Sequence, residues 1–212
     1  CKIAEAKTDR TYWGRLQEAA RNDNPKLRWP RGAERRHWRG QQAIDSAAEL
    51  VSRYKIPTHA VEYMAGGGTY NEVARRVQEH RGFGPWIAFK IADMADRVLR
   101  LPVDFSDCHL GIYKDPRQGA ALLATGDWRT PITDEELQAA VGKWTKEFRK
   151  FKAPPHRDRP INVQEVESVF CKYKSYYKGH YHPGKDIHEV RQGLVGWGDI
   201  AQQVLNSMPE EL

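Results

Sequence analysis

The stretch GFGPWIAFKIADMADRVLRLPVDFSD (82–107) sets two glycines around one aromatic residue, continues with an apolar-faced segment, and ends near an isolated acid, Asp104. The apolar spacing of its middle part predicts a helix. Pro85 is expected in the first turn of that helix, where its missing N–H costs little. The residues after the helix, LPVDFS, are expected to be extended.

A second helix is predicted directly before this stretch, over TYNEVARRVQEH (69–80), because Thr69 and Glu72 have the spacing of a capping box. Two helices joined by a short glycine turn form a helix-hairpin-helix, predicted at about 69–98. Gly82 and Gly84 permit positive φ and allow backbone N–H groups to approach a phosphate. The alternative is a plain corner between two helices, closed by a glycine.

Helical patterns also dominate the rest of the chain. They cover 11–22, 41–54, 133–151, 162–180 and 186–208, and a proline-rich connection is expected at 151–160. We find no internal repeat and little strand signal. The sequence therefore predicts an all-α fold with one helical domain over 1–212.

The composition describes a chain of 212 residues with 40% hydrophobic and 29% charged residues, a formal net charge of +6 and a pI near 9.2. The basic excess favours a polyanionic partner such as nucleic acid. No apolar run reaches the roughly 18 residues of a membrane helix, and no signal peptide is expected. The three cysteines form no CxxC pair, which fits reduced thiols in a cytoplasm.

The segment CKYKSYYKGHYH (171–182) alternates basic and aromatic residues. Such a pattern suits DNA contact, with lysines on phosphates and tyrosines stacking on bases; the residues are Lys172, Lys174, Lys178, Tyr173 and Tyr177. The alternative is an amphipathic helix whose tyrosines line the core. A second basic patch, RWPRGAERRHWRGQQ (28–42), is expected to contact backbone phosphates.

Possible metal ligands occur at the same end of the chain, where Cys171 lies near His180, His182 and His188. Their spacing matches no standard zinc pattern, so no metal is expected. The sequence also lacks a Walker lysine motif and a dinucleotide fingerprint. No cofactor is therefore expected.

The distance from Gly84 to Asp104 is twenty residues, and at this spacing the chain resembles the helix-hairpin-helix DNA glycosylase superfamily. In that superfamily a Val-Asp pair, here Val103-Asp104, places the aspartate in the pocket of a flipped base. The resemblance makes Asp104 the first catalytic candidate. Trp86 stands where lyase members carry a lysine, which argues against a Schiff-base mechanism.

Over roughly 60–182, MAGGGTYNEVARRV and RGFGPWIAFKIADM look similar to the phage amino acid:DNA transferases, also called α-glutamyl/putrescinyl-thymine pyrophosphorylase-like proteins. The resemblance implies transfer of an amine-bearing group onto pyrophosphate-activated 5-hydroxymethyl-uracil in DNA. It implies double-stranded DNA with a modified pyrimidine and an amino acid or amine as partners. We expect a phage-encoded monomer in the host cytoplasm.

Under this resemblance, the remaining candidates fall into three groups. Gly66, Gly67, Gly68 and Thr69 would cradle the pyrophosphate at a helix N-terminus, unless they form only a loop with a capping threonine. Asp104 or Asp107 would accept a proton or stabilise a cation. Candidate cations for stabilising the phosphate are Lys90, Arg75 and Arg76, and Trp86 is a candidate for stacking on a base. Solvated helix faces are the alternative for these cations and the expectation for Asp93 and Asp96.

Asp104 is also open to a simpler interpretation. Its neighbours Leu101, Pro102, Val103 and Phe105 are apolar, and a buried carboxylate is costly unless paired, which favours function. The alternative is an N-cap for a helix beginning near Ser106.

Three functions stay open at this point. The first is the DNA-modifying transferase, which would need a separate kinase to activate the base. The second is an N-glycosylase that excises a modified base. The third is a helix-hairpin-helix module that binds DNA without catalysis.

Overall fold

The computed structural model describes residues 41–54, 56–195 and 199–208. The elements are α1 (Gln41–Arg53), α2 (Pro57–Ala65), β1 (Gly68–Thr69), α3 (Tyr70–Gln78), α4 (Pro85–Arg97), β2 (Val103–Asp104), a 3-10 turn (Leu110–Ile112), α5 (Lys114–Thr125), α6 (Asp134–Phe148), α7 (Val163–Tyr177), α8 (Lys185–Leu194) and α9 (Asp199–Ser207). Helix thus dominates, which confirms the all-α prediction. None of the helices in these ranges is long and apolar enough to cross a membrane.

Most predicted helices are present, and their starts follow from capping. Thr69 and Thr133 each form a capping box with the glutamate three residues later, as predicted. The prediction of one helix over 186–208 is wrong in detail, because α8 and α9 are separate. The predicted helix at 11–22 and the basic patch at 28–42 lie outside the described residues, apart from the backbone of 41 and 42.

Two helices were not predicted, α2 and α5. Helix α2 starts with Pro57 at its first turn and buries Ala60 and Met64, four residues apart. Helix α5 packs closely on α7, since a Cβ on Gly119 would lie 2.1 Å from the backbone oxygen of Phe170. This contact between helices far apart in sequence is invisible to local patterns.

The hydrophobic core lies between the hairpin helices and the α5–α7 layer. Its largest fully buried side chains include Phe89, Phe105, Phe170, Leu110 and Leu137. Phe89 packs edge-on against Phe105, with ring centroids 6.0 Å apart. The core therefore anchors the segment on both sides of β2.

The turn between α3 and α4 lies where the sequence predicts it, but its two glycines differ. Gly82 has φ 81°, and a Cβ there would lie 2.4 Å from the Ser46 hydroxyl. Gly84 has φ −88° and ψ 179°, so it is extended, and it caps α4. The expectation of a positive-φ position is confirmed for Gly82 and wrong for Gly84.

Candidate active site around Asp104

Two motifs that are far apart in the sequence meet in a short parallel strand pair. Gly68 lies opposite Val103, and Thr69 lies opposite Asp104. Gly67 and Gly68 have φ of 85° and 103°, the left-handed region that favours glycine. The glycine turn before α3 and the Val-Asp pair after α4 therefore form one continuous surface.

Asp104 is exposed rather than buried, which corrects the expectation from its apolar neighbours. One carboxylate oxygen accepts a hydrogen bond from the Ser106 N–H at 2.8 Å. This bond, together with the Ser106 hydroxyl, holds the pKa of Asp104 below its usual value. No helix begins near Ser106, so the N-cap alternative is wrong. The carboxylate is ionised and faces solvent.

Two more carboxylates lie at the start of α3, one from the helix itself and one from the segment after β2. Asp107 accepts from the N–H of Asn71, with its oxygens 3.3 and 3.4 Å away. Glu72 accepts from the N–H of Thr69 at 2.9 Å. The Gly67 N–H donates to the Ala65 carbonyl at 2.7 Å, so the N–H groups of Gly67 and Thr69 already have acceptors within the protein.

The electrostatics at this helix start follow from those carboxylates. A helix N-terminus attracts anions, but here Glu72 and Asp107 already meet that preference. With Asp104 beside them, an incoming pyrophosphate would meet like charge, whereas an ammonium group would be attracted. The role of the glycines as a phosphate cradle stays a prediction.

The three cations expected to face a phosphate have other contacts. Arg75 pairs with Glu79 at 3.0 Å. Arg76 donates to the Gly67 carbonyl at 2.7 Å and thereby braces the glycine turn. The Lys90 ammonium lies 5.5 Å from the ring centre of Trp86, which is half-buried against the core.

Asp93 and Asp96 belong to a partly buried ionic network, so their expected place on a solvated face is wrong. Arg159 donates to Asp96 at 2.7 Å and to both oxygens of Glu165 at 2.9 and 3.1 Å. Arg97 lies 2.7 Å from Asp93 and 3.0 Å from Glu165. Burial raises the pKa of Asp93, although Arg97 and Lys90 oppose the shift.

A cavity of about 300 Å³ opens beside this network. It lies between the C-terminal end of α4 and the predicted proline-rich connection; its lining includes Arg97, Arg100, Pro102, His156, Asp158 and Arg159. Arg100 has φ 55°, a conformation that costs an L-residue about 1–2 kcal/mol. The sequence analysis did not predict this cavity. The charged residues within the proline-rich connection are the local feature of the sequence that could have indicated it.

The basic-aromatic face predicted on α7 is only partly available to DNA. Lys174 is buried and pairs with Asp115, so it does not face solvent. Lys172 pairs with Asp186 and lies 4.3 Å from the Tyr181 ring centre.

The rest of that face is open. Tyr173 and Tyr177 are 40% and 59% exposed. Lys178 lies 4.4 Å and Arg129 4.8 Å from the ring centre of Trp128. Trp128 and Arg129 extend the predicted surface and were missed, because no pattern was assigned to their loop.

Cys108 and Cys171, the cysteines in the described part of the chain, are poor ligands or nucleophiles. Burial raises the pKa of Cys108 to about 12 and raises that of Cys171, so both thiols stay protonated at neutral pH. Across the described ranges, no three His, Cys, Asp or Glu side chains converge on a possible metal position.

Comparison with known proteins gives the family. Residues 4–182 match the family model described as amino acid:DNA transferase. A glycinyltransferase of Pseudomonas phage PaMx11 is 45% identical over 204 residues, covering 86% of this chain and 70% of the relative. A putrescinyltransferase of Delftia phage PhiW-14 is 28% identical over 217 residues, covering 99% of this chain and 67% of the relative. The chain belongs to the amino acid:DNA transferase family and is a DNA-modifying transferase.

Proposed function

We propose that the protein joins the amine of a small amino acid to the exocyclic methylene of pyrophosphate-activated 5-hydroxymethyl-uracil in DNA. The amine nitrogen forms a bond to the methylene carbon, and the carbon–oxygen bond to pyrophosphate breaks with its electron pair on the leaving oxygen. The nitrogen then gives up a proton. Family membership and the names of the two phage transferases support transfer of an amine onto DNA.

The strand pairing of Thr69 with Asp104 is the observation that carries this proposal. It supports a reaction centre at Asp104, beside the glycine turn and within reach of solvent. The pyrophosphate of the activated base has to point away from the three carboxylates, which repel it, and it leaves into solvent. An ionised carboxylate attracts an ammonium group, accepts its proton, and stabilises positive charge that develops at the methylene. Asp107 and Glu72 strengthen the negative potential there and so favour the amine at this position.

The base has to leave the DNA helix to reach Asp104, so the proposal includes base flipping on a glycosylase-like helical scaffold. The open part of the α7 face and the hairpin turn suit the flanking DNA. Lys178, Arg129 and Trp128 combine charge for phosphates with a ring for stacking. Lys174 serves as a matched control, because it is buried; Lys174→Met should leave DNA affinity unchanged.

The decisive experiment incubates the protein with glycine and duplex DNA that carries the pyrophosphorylated base, followed by nucleoside mass spectrometry. We expect a glycine-modified thymine nucleoside and one pyrophosphate released per adduct. DNA with unactivated 5-hydroxymethyl-uracil is the control and should give no adduct. Release of a free base would instead identify a glycosylase, and an adduct on unactivated DNA would refute the leaving group.

A further inference from the structure

We propose that the cavity at the end of α4 binds the amino acid co-substrate as a zwitterion, with Arg100 on its carboxylate and Asp158 on its ammonium group. This assignment rests on the proposed function and names the substrate class of the same reaction. Both residues line one cavity of about 300 Å³. That volume lies at the lower end of the range for small-molecule pockets, which suits a small amino acid.

The charge of the cavity favours a neutral zwitterion over a diphosphate. Two of its three lining arginines are neutralised, because Arg159 binds Asp96 and Glu165 while Arg97 contacts Asp93 and Glu165. With Asp158 included, the three arginines are matched by four carboxylates, of which Asp96 and Asp158 line the cavity while Asp93 and Glu165 contact the arginines outside the lining. A diphosphate requires an excess of positive charge, whereas a zwitterion requires one group of each sign.

Arg100 is held in place for this task. Its guanidinium donates to Nδ1 of His156 at 2.9 Å, and Nε2 of His156 donates to the Arg97 carbonyl at 2.8 Å. This pattern requires the neutral His156 tautomer with its proton on Nε2. Arg100 uses one of its five N–H donors in this contact, so a fork remains for a carboxylate.

Asp158 supplies the opposite charge. It is exposed, and within the described ranges its carboxylate makes no hydrogen bond or ion pair. Because Asp158 and Arg100 line the same cavity, one amino acid can place its ammonium group on Asp158 and its carboxylate on Arg100. A diamine such as putrescine would leave Arg100 without an anionic partner.

The cavity adjoins the reaction centre. Pro102 lines the cavity and precedes Asp104 by two residues. The Pro102 carbonyl also faces the glycine turn, where a Cβ on Gly67 would lie 3.7 Å from it. An amino acid held in the cavity is therefore next to the β1–β2 pair. Its ammonium group rests on Asp158 in the free protein and has to move to Asp104 for the transfer step.

The test measures glycine and putrescine binding to the full chain without DNA, and then the KM of each amine in the transfer assay. Arg100→Asn removes the guanidinium while keeping a residue that tolerates positive φ. Arg157→Asn is the matched control, because Arg157 is exposed, has φ 57° and does not line the cavity. We expect wild type to bind glycine and not putrescine.

For Arg100→Asn we expect about tenfold weaker glycine binding and a similarly raised KM, the scale of one charge-assisted contact. Its kcat and DNA affinity should stay unchanged, as should all values for Arg157→Asn. If Arg100→Asn misfolds, Arg100→Gly gives the same test with a relaxed backbone.

Wild-type glycine affinity and KM in these Arg100 variants would overturn the cavity assignment while leaving the transfer reaction intact. If pyrophosphate inhibited the transfer reaction of the Arg100 variants less than that of wild type, while their glycine binding stayed unchanged, the cavity would instead be a site for the leaving group. Glycine binding by wild type without any DNA adduct would refute the proposed function instead.

Discussion

Replacing Asp104 with asparagine separates chemistry from structure at the proposed reaction centre. The side chain is exposed, and one of its carboxylate oxygens accepts a hydrogen bond from the Ser106 N–H at 2.8 Å. The amide oxygen of the substituted asparagine can accept the same bond, so the turn should persist. We therefore expect an unchanged melting temperature and unchanged DNA affinity.

The expected effect on turnover follows from the role of the charge. Loss of one acid/base or charge-stabilising group lowers kcat by on the order of a hundredfold, which corresponds to about 2.7 kcal/mol of barrier. Transfer to activated DNA under saturating glycine, followed by nucleoside mass spectrometry, measures this value directly. The pKa of Asp104 in the free protein lies below its usual value, so its carboxylate should stay ionised at mildly acidic pH before DNA binds.

Asp107→Asn is the control for general changes in negative potential. Asp107 accepts from the Asn71 N–H in the first turn of α3, and the amide oxygen of an asparagine can accept the same bond. Its kcat should therefore fall less than that of Asp104→Asn. Wild-type turnover in Asp104→Asn, or an equal loss in both variants, would refute the assignment of the chemistry to Asp104.

Other perturbations test the hairpin, the carboxylate and the DNA surface. Gly82→Ala should lower the free energy of unfolding by about 1–2 kcal/mol in denaturant melts, because Gly82 has a positive φ. A Cβ on Gly84 would meet no atom within 4 Å, so Gly84→Ala should weaken only DNA binding. Equal losses of stability in the two variants would contradict this difference. Ser106→Ala should raise the pKa of the Asp104 carboxyl in an NMR titration. The ionised Asp104 carboxylate contributes to stability above its pKa in the unfolded chain, and this contribution is lost as the pH falls through its pKa in the folded protein. In Ser106→Ala the loss should therefore occur at a higher pH than in wild type. Lys178→Ala should reduce the slope of log affinity against log salt by about 1; an unchanged slope would remove Lys178 from the interface.

Local signals in the sequence predicted the helices that depend on local physics. The capping boxes at Thr69 and Thr133 fix helix starts through bonds within four residues, and both are present. Spacing along the chain likewise indicated Asp104. The prediction of one domain over the whole chain stays a prediction.

Tertiary contacts decided what the sequence could not show. Asp96 has the helix position of a solvent-facing acid, yet Arg159, sixty-three residues later, binds it. Lys174 has the pattern of a DNA contact, but Asp115 on α5 pairs with it. Each case depends on a partner from another element, and no periodicity within one helix reports that partner.

The exposure of Asp104 makes its proposed chemistry dependent on the bound DNA. In the free protein, water and the Ser106 N–H stabilise the carboxylate, which makes it a weak base. A flipped base that covers Asp104 would remove water, and desolvation raises the pKa of a carboxyl group. The same carboxylate would then accept a proton more readily, and its attraction for a cation at the methylene would grow because the local dielectric constant falls. Under this role the site gains catalytic strength only when the correct substrate closes it, which protects the activated base from premature reaction.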